Sequence, residues 1–374
     1  MKKYLFIFFC LCTYLVSYSQ NESNLYKDWM IGPFEKLPVG KNPILGPNFD
    51  SKFYCPIIKR DIRWESRAII GGAVVVKDNK IYMIYQGEDD TRGFLLHTHG
   101  SPGTMRLGLA ISNNGIDFEK KGPVIYPQND NFHEWESNGG CEIPRLIESP
   151  DGGYILFYDG WNKSKARLMV ATSKDLVNWE KHGSPFTKYH GDKYSQLWSK
   201  SAAVVTELKN GKLVAAKING KYWMYWGERG LNIATSDNLI DWKMLENPDG
   251  SLKTLLSKRK GMFDDRTIEG GVALKTEKGI VIIFNTFRFK QEGEVGDPVL
   301  ASGLGQALVD QNDPTKVLDR SDVPFLIPDR EYEIQGAVNN VVFATGLVFF
   351  NNKWYLYHNG GDRVLCVAVA DSNL

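Results

Sequence analysis

Short runs in which aromatic and aliphatic residues crowd together recur along the chain, each set off by polar turn residues. The first run of each unit reads IYMIY at 81–85, YILFY at 154–158, YWMYW at 222–226, IVIIF at 280–284 and WYLYH at 354–358. A second run follows after a variable loop: LGLAIS at 107–112, LMVATS at 168–173, LNIATS at 231–236, a looser GQALV at 305–309 and LCVAV at 365–369. Short segments rich in Tyr, Trp, Ile and Val and bounded by Gly, Asn and Asp read as strands. Three of the second runs share a tail: Ser112, Ser173 and Ser236 lead through NNGID, KDLVN and DNLID into Phe118, Trp179 and Trp242. The polar residues make a turn and the aromatic restarts a strand.

Helical periodicity is scarce. The units begin at 81, 154, 222, 280 and 354, a spacing of roughly 60–75 residues that is long for a solenoid and suits four-stranded blades with long loops. The expected fold is all-β, a five-bladed β-propeller over residues 40–374, with a β-sandwich as the alternative. Pairing between the two ends of the chain would close the ring, using an N-terminal strand around residues 69–77.

The first residues read differently. Lys2 and Lys3 precede a mostly apolar run over 4–16, and Ser17 and Ser19 flank Tyr18 just before Gln20. This is the pattern of a secretory signal peptide over 1–19, too short to span a bilayer. A segment over 20–39 then leads into the domain. The expected location is secreted or periplasmic, soluble rather than lipid-anchored. Cys55, Cys141 and Cys366 remain after the leader. Their odd number excludes a fully paired framework and favours three buried thiols over one bridge. The formal charge is +1 with Lys2 and Lys3 counted, so nothing electrostatic favours nucleic acid or an anionic membrane. No later segment is apolar enough to span a membrane. His97 and His99 could start a metal site but lack an obvious third ligand, so no metal or cofactor is expected.

The chemistry lies just past the first runs. Those positions read Gln86-Gly-Glu88, Asp159-Gly-Trp161, Trp226-Gly-Glu228, Asn285-Thr-Phe287 and Asn359-Gly-Gly-Asp362. Four of these five carry a carboxylate, and in a propeller such positions face a common funnel. Converging carboxylates are costly unless water, cations or sugar hydroxyls satisfy them. They are also what glycosidic cleavage uses, one carboxyl as acid and another as base or nucleophile. The plainer reading is that some cap turns or pair with Arg. Lys200, between Ser199 and Ser201 before a strand, could bring an ammonium to the same place.

Further segments carry a resemblance. WSKS at 198–201, KINGKYWMYWGE at 217–228, GQALVD at 305–310 with DPTKV at 313–317, Pro324-Phe325, NVVF at 340–343 and WYLY at 354–357 with Asp362 together resemble glycoside hydrolase family 130, from about Asn42 to the C-terminus. The resemblance implies a five-bladed propeller acting with inversion on β-mannosides. It also implies either a phosphorylase or, closer to this chain, a secreted hydrolase of β-1,2-mannosides. By motif, Glu228 and Glu269 are the candidates for activating water. The family's general-acid Asp, in Cys-Glu-Asp-Pro-Arg, falls on Ile143 of CEIPR at 141–145. Gly71-Gly72 stands where the family has Asn-Pro, Gln86 replaces an Arg, and the Pro-Pro pair beyond Gly271 is missing. This leaves another acid (Asp159, Glu142 or Asp265), another sugar, or a propeller that binds glycans without cutting them. The expected catalytic set is Glu228, Glu269 and Asp159. Gln86, Glu88, Glu142, Arg145, Trp161, Lys200, Asp265 and Asp362 are expected to contact an oligosaccharide.

Overall fold

The repeated Ser-containing tails show how one local device is reused. Ser112 Oγ accepts the N–H groups of Asn114 and Gly115, and Asn114 Oδ1 accepts those of Ile116 and Asp117. Ser173 with Asp175, and Ser236 with Asn238, repeat the same four bonds. Trp179 and Trp242 then close their turns by donating Nε1–H to the Leu176 and Leu239 carbonyls. Side chains thus satisfy the backbone where the chain reverses between strands.

The protein is seen here as a computed structural model that describes residues 26–89, 103–194, 197–289 and 299–372. Residues 1–19, His97 and His99 lie outside the described residues. The fold is mostly β, built from antiparallel groups in chain order. The first comprises Ala68–Lys77, Lys80–Glu88, Met105–Ser112 and Phe118–Ile125. The second comprises Gly140–Glu148, Tyr154–Trp161, Ala166–Ser173 and Glu180–Gly183. The third runs through Ala202–Lys209, Lys221–Trp226, Leu231–Ser236 and Trp242–Met244. The fourth runs through Glu269–Thr276, Gly279–Phe289, Val299–Val309 and Val317–Arg320. Val342–Phe350, Lys353–Gly360 and Val364–Asp371 form the last group, and its fourth strand is Glu35–Lys36 from the other end of the chain.

One expectation is corrected by this pairing. The C-terminal strand pairs with Glu35–Lys36 and not with residues 69–77, so part of the 20–39 segment belongs to the fold. Residues 69–77 are nearly all apolar because they form an interior strand covered on both faces, whereas an edge strand can be short and charged. Trp29, Met30, Ile31 and Phe34 around the edge strand are buried in the core. The aromatic first runs are also the second strands of their groups. The innermost strands precede them and carry small residues such as Ala202, Ala203, Gly270 and Gly271. Each innermost strand lies against that of the next group, and Val342–Phe350 lies against Ala68–Lys77. Between them is a cavity of only about 40 Å³, lined by residues such as Val74, Arg145, Val204, Gly271 and Thr345, so this centre is packed.

Cys55, Cys141 and Cys366 are buried free thiols, as expected. No helix among the described residues is long and apolar enough to cross a membrane.

Candidate active site

Antiparallel pairing puts the start of each innermost strand beside the end of the strand that follows it. Ala68 pairs with Glu88, Glu142 with Asp159, Ala202 with Trp226, Glu269 with Asn285, and Phe343 with Asn359. Residues far apart in sequence are thereby gathered at one end of the packed centre. Four of these innermost strands also lose register near the same place: between Ile70 and Ala73, Glu142 and Arg145, Gly270 and Val272, and Ala344 and Gly346. Such bulges bend a strand and re-aim its side chains. Gly71 sits in the first bulge with φ 69°, where a Cβ would lie 3.1 Å from Pro144 Cδ. Ile143 sits in the second with φ 48°, a conformation that costs a β-branched residue roughly 1–3 kcal/mol.

Lys200 lies at the middle of the site. Its Nζ is 3.6 Å from Glu228 Oε2 and 3.9 Å from Glu269 Oε1. The Ser201 hydroxyl donates to Glu269 Oε1 at 2.5 Å, and the Ser201 N–H donates to Asp159 Oδ1 at 3.3 Å. Ser201 has φ 51°, which directs its two donors to two different carboxyls. Asn359 accepts the Gly71 N–H through Oδ1 at 2.7 Å and donates Nδ2–H to Asp362 Oδ1 at 3.3 Å. Glu88 accepts from Arg67 Nε at 2.9 Å and from the Gly103 N–H at 3.0 Å. Gln86 is buried, and its Oε1 accepts the Ile143 N–H at 2.9 Å.

Crowding of carboxyls sets the electrostatics. Burial pushes Glu142 up to about 7; Lys200 and Lys163 oppose the shift, while Glu88 and Asp362 add to it. Burial likewise raises Asp362 to about 6, against the Asn359 hydrogen bond and Lys200. Asp159 is fully buried, and burial holds it well above the ordinary carboxylate range. Glu228 is raised by burial, with Lys200 pulling it back. Burial works against the Lys200 ammonium, but Glu269, Asp159, Glu228 and Glu142 outweigh it and keep the amine charged. This arrangement can hold one carboxyl protonated and another ionised at the same pH, which acid–base cleavage requires.

The remaining expected residues divide. Trp161 meets Trp198 edge to face, with ring centroids 5.7 Å apart and Trp198 42% exposed; such a surface suits the apolar face of a sugar. Arg145 is buried, donating to the carbonyls of Gly270 at 2.7 Å and Pro144 at 3.1 Å, so it braces two bulges. Asp265 is not tied into the network; its carboxylate lies 3.6 Å from Arg266 Nε. Its neighbour Asp264 is the anchor of that loop, buried between Arg259 and Arg320 at 2.9 and 2.5 Å. Ile143 packs with Val299, Val341 and Phe343 in a small apolar cluster. Sequence reasoning passed over Ser201, Asn285 and Asn359. Their signal was position, since each flanks a selected carboxylate or lysine or stands where other groups carry one.

The model of glycoside hydrolase family 130, described as beta-1,4-mannooligosaccharide phosphorylase, matches residues 73–373. A 1,2-beta-oligomannan phosphorylase of Thermoanaerobacter sp. (strain X514) is 29% identical over 84% of this chain and 93% of its own. A solved putative glycosidase from Bacteroides thetaiotaomicron VPI-5482 superposes with TM-score 0.87 at 41% identity, covering 94% of this chain and all of the other. Another solved structure has TM-score 0.85 at 38% identity over 93% of this chain and 98% of its own. It comes from work stating that the family of mannoside phosphorylases contains glycoside hydrolases that target beta-1,2 mannosidic linkages in Candida mannan. The chain therefore belongs to glycoside hydrolase family 130, a family acting on β-mannosidic linkages.

Proposed function

We propose that this chain is an exported, inverting hydrolase that removes β-mannosyl units, β-1,2-linked ones foremost, from the end of a glycan. It would do so at the mouth of a closed five-bladed propeller. One observation carries the choice of water over phosphate as nucleophile: Glu228, Glu269, Asp159, Glu142, Glu88 and Asp362 share a single electrostatic cluster around Lys200. A phosphate dianion entering there meets like charge, whereas water enters without that penalty. Gln86 adds no cation, and Arg145 is committed to backbone carbonyls. Glu269, oriented by Ser201 and Lys200, or Glu228 on the other side of Lys200, would take the proton from water as its oxygen attacks C1. Trp161 and Trp198 would receive the sugar on the leaving side.

The apolar setting of Ile143 favours a second reading, a propeller that holds mannosides without cutting them. Incubating the mature protein with β-1,2-mannobiose, with and without inorganic phosphate, separates the readings. Hydrolysis gives mannose in both buffers and no mannose 1-phosphate. Phosphate-dependent release with mannose 1-phosphate would establish a phosphorylase, and binding without release would establish the glycan-binding reading.

A further inference from the structure

We propose that Glu142 is the proton donor of this site, replacing the acid that the family pattern places at position 143. This rests on the hydrolase reading above. Position 143 cannot serve, because the Ile143 side chain is packed among Val299, Val341 and Phe343 and its N–H is held by Gln86. Glu142 is the preceding residue on the same strand, directly opposite Asp159 and at the edge of the bulge. It is only partly buried, and among the described residues its carboxyl makes no hydrogen bond. The other carboxyls are engaged or enclosed. Glu269 holds Ser201, Glu228 lies on Lys200, and Glu88 takes Arg67 and the Gly103 N–H. Asp362 takes Asn359, and Asp159 is fully buried. Of the carboxyls gathered around Lys200, Glu142 is the one that is partly exposed and accepts no hydrogen bond or ion pair among the described residues.

Its surroundings suit an acid. Burial, Glu88 and Asp362 favour the protonated form, while Lys200 and Lys163 favour the ionised one, and the balance lies near neutrality. Asp159, facing it across the strand pair, is itself shifted upward by burial, with Lys200 opposing and the Glu269 and Glu142 charges adding to the shift. In the step itself the Glu142 O–H proton passes to the glycosidic oxygen as the C1–O bond breaks and the leaving sugar departs as an alcohol. Water bonds to C1 and gives its proton to the ionised Glu. One water is consumed, and proton exchange with solvent resets both carboxyls.

The test compares leaving groups. β-1,2-Mannobiose needs a proton on its leaving oxygen, whereas 2,4-dinitrophenyl β-mannoside expels a stable phenolate without one. Glu142→Gln should lower kcat/KM on the disaccharide by about 10²–10⁴-fold and leave the aryl mannoside within about tenfold of wild type, because only proton donation is removed. Glu142→Ala should give the same split, and whichever of Glu269→Gln and Glu228→Gln removes the base should lose both substrates. The alkaline limb of the wild-type profile near pH 7 should vanish in Glu142→Gln. The proposal is overturned if Glu142→Gln keeps its disaccharide activity, if it loses both substrates equally, or if Asp159→Asn shows the leaving-group split instead. In those cases wild-type turnover leaves the hydrolase reading standing. No wild-type turnover of either substrate from pH 4 to 9 overturns both.

Discussion

Glu269→Gln is expected to lower hydrolysis of a β-mannoside by about 10²–10⁴-fold, the usual worth of a positioned general base, with little change in thermal unfolding. Gln keeps the size of Glu and an oxygen that still accepts the Ser201 hydroxyl, so the start of the fourth group stays anchored. What is lost is the negative charge that takes a proton from water. Glu228→Gln tests the alternative base on the far side of Lys200. The variant with the larger loss in kcat, at unchanged unfolding temperature, identifies the base. Retention of more than about a tenth of activity by both variants would remove both from that role, since base catalysis is worth far more.

Lys200→Met is expected to move the whole pH–activity profile to higher pH. The ammonium lowers the proton affinity of Glu228, Glu142, Asp159 and Asp362. Without it, each carboxyl must hold its proton to higher pH. The acid limb rises because the base is active only when ionised. The alkaline limb rises because the donor is active only when protonated. The loss in kcat/KM should be largest on the acid side of the profile and shrink as pH increases. The measurement is kcat/KM against pH for wild type and variant. An unshifted profile with uniformly reduced rate would mean that Lys200 acts only on substrate and does not set these charges.

The repeat pattern was legible because each turn is made by side chains that must recur in sequence, Ser then Asn or Asp at a fixed spacing. The carboxylate positions were legible for a related reason, since corresponding strand ends face one place. The order of strands within a group was not. The innermost strands are crowded and therefore built from Ala, Gly and Val, which draw less notice than the Tyr and Trp of the strands behind them. Glu35–Lys36 escaped because a two-residue edge strand has no periodicity to read. The bulge at Ile143 was hidden for a physical reason: a β-branched residue argues against positive φ, and only the register loss beside it shows that the backbone turns there. The resemblance located Glu228 and Glu269, but the hydrogen bond that orients Glu269 comes from Ser201, whose role depends on backbone geometry.

The most direct measurement follows the anomer released. ¹H NMR of methyl β-1,2-mannobioside, whose leaving sugar has no free anomeric centre, with the purified protein in phosphate-free buffer should show reducing mannose from the cleaved bond appearing first as the α-anomer. The β-anomer should then grow only at the rate of mutarotation. Water delivered to C1 on the face opposite the leaving oxygen, with the base and the donor on either side of the sugar, gives that product. Initial release of the β-anomer, or release only when phosphate is added, would contradict it.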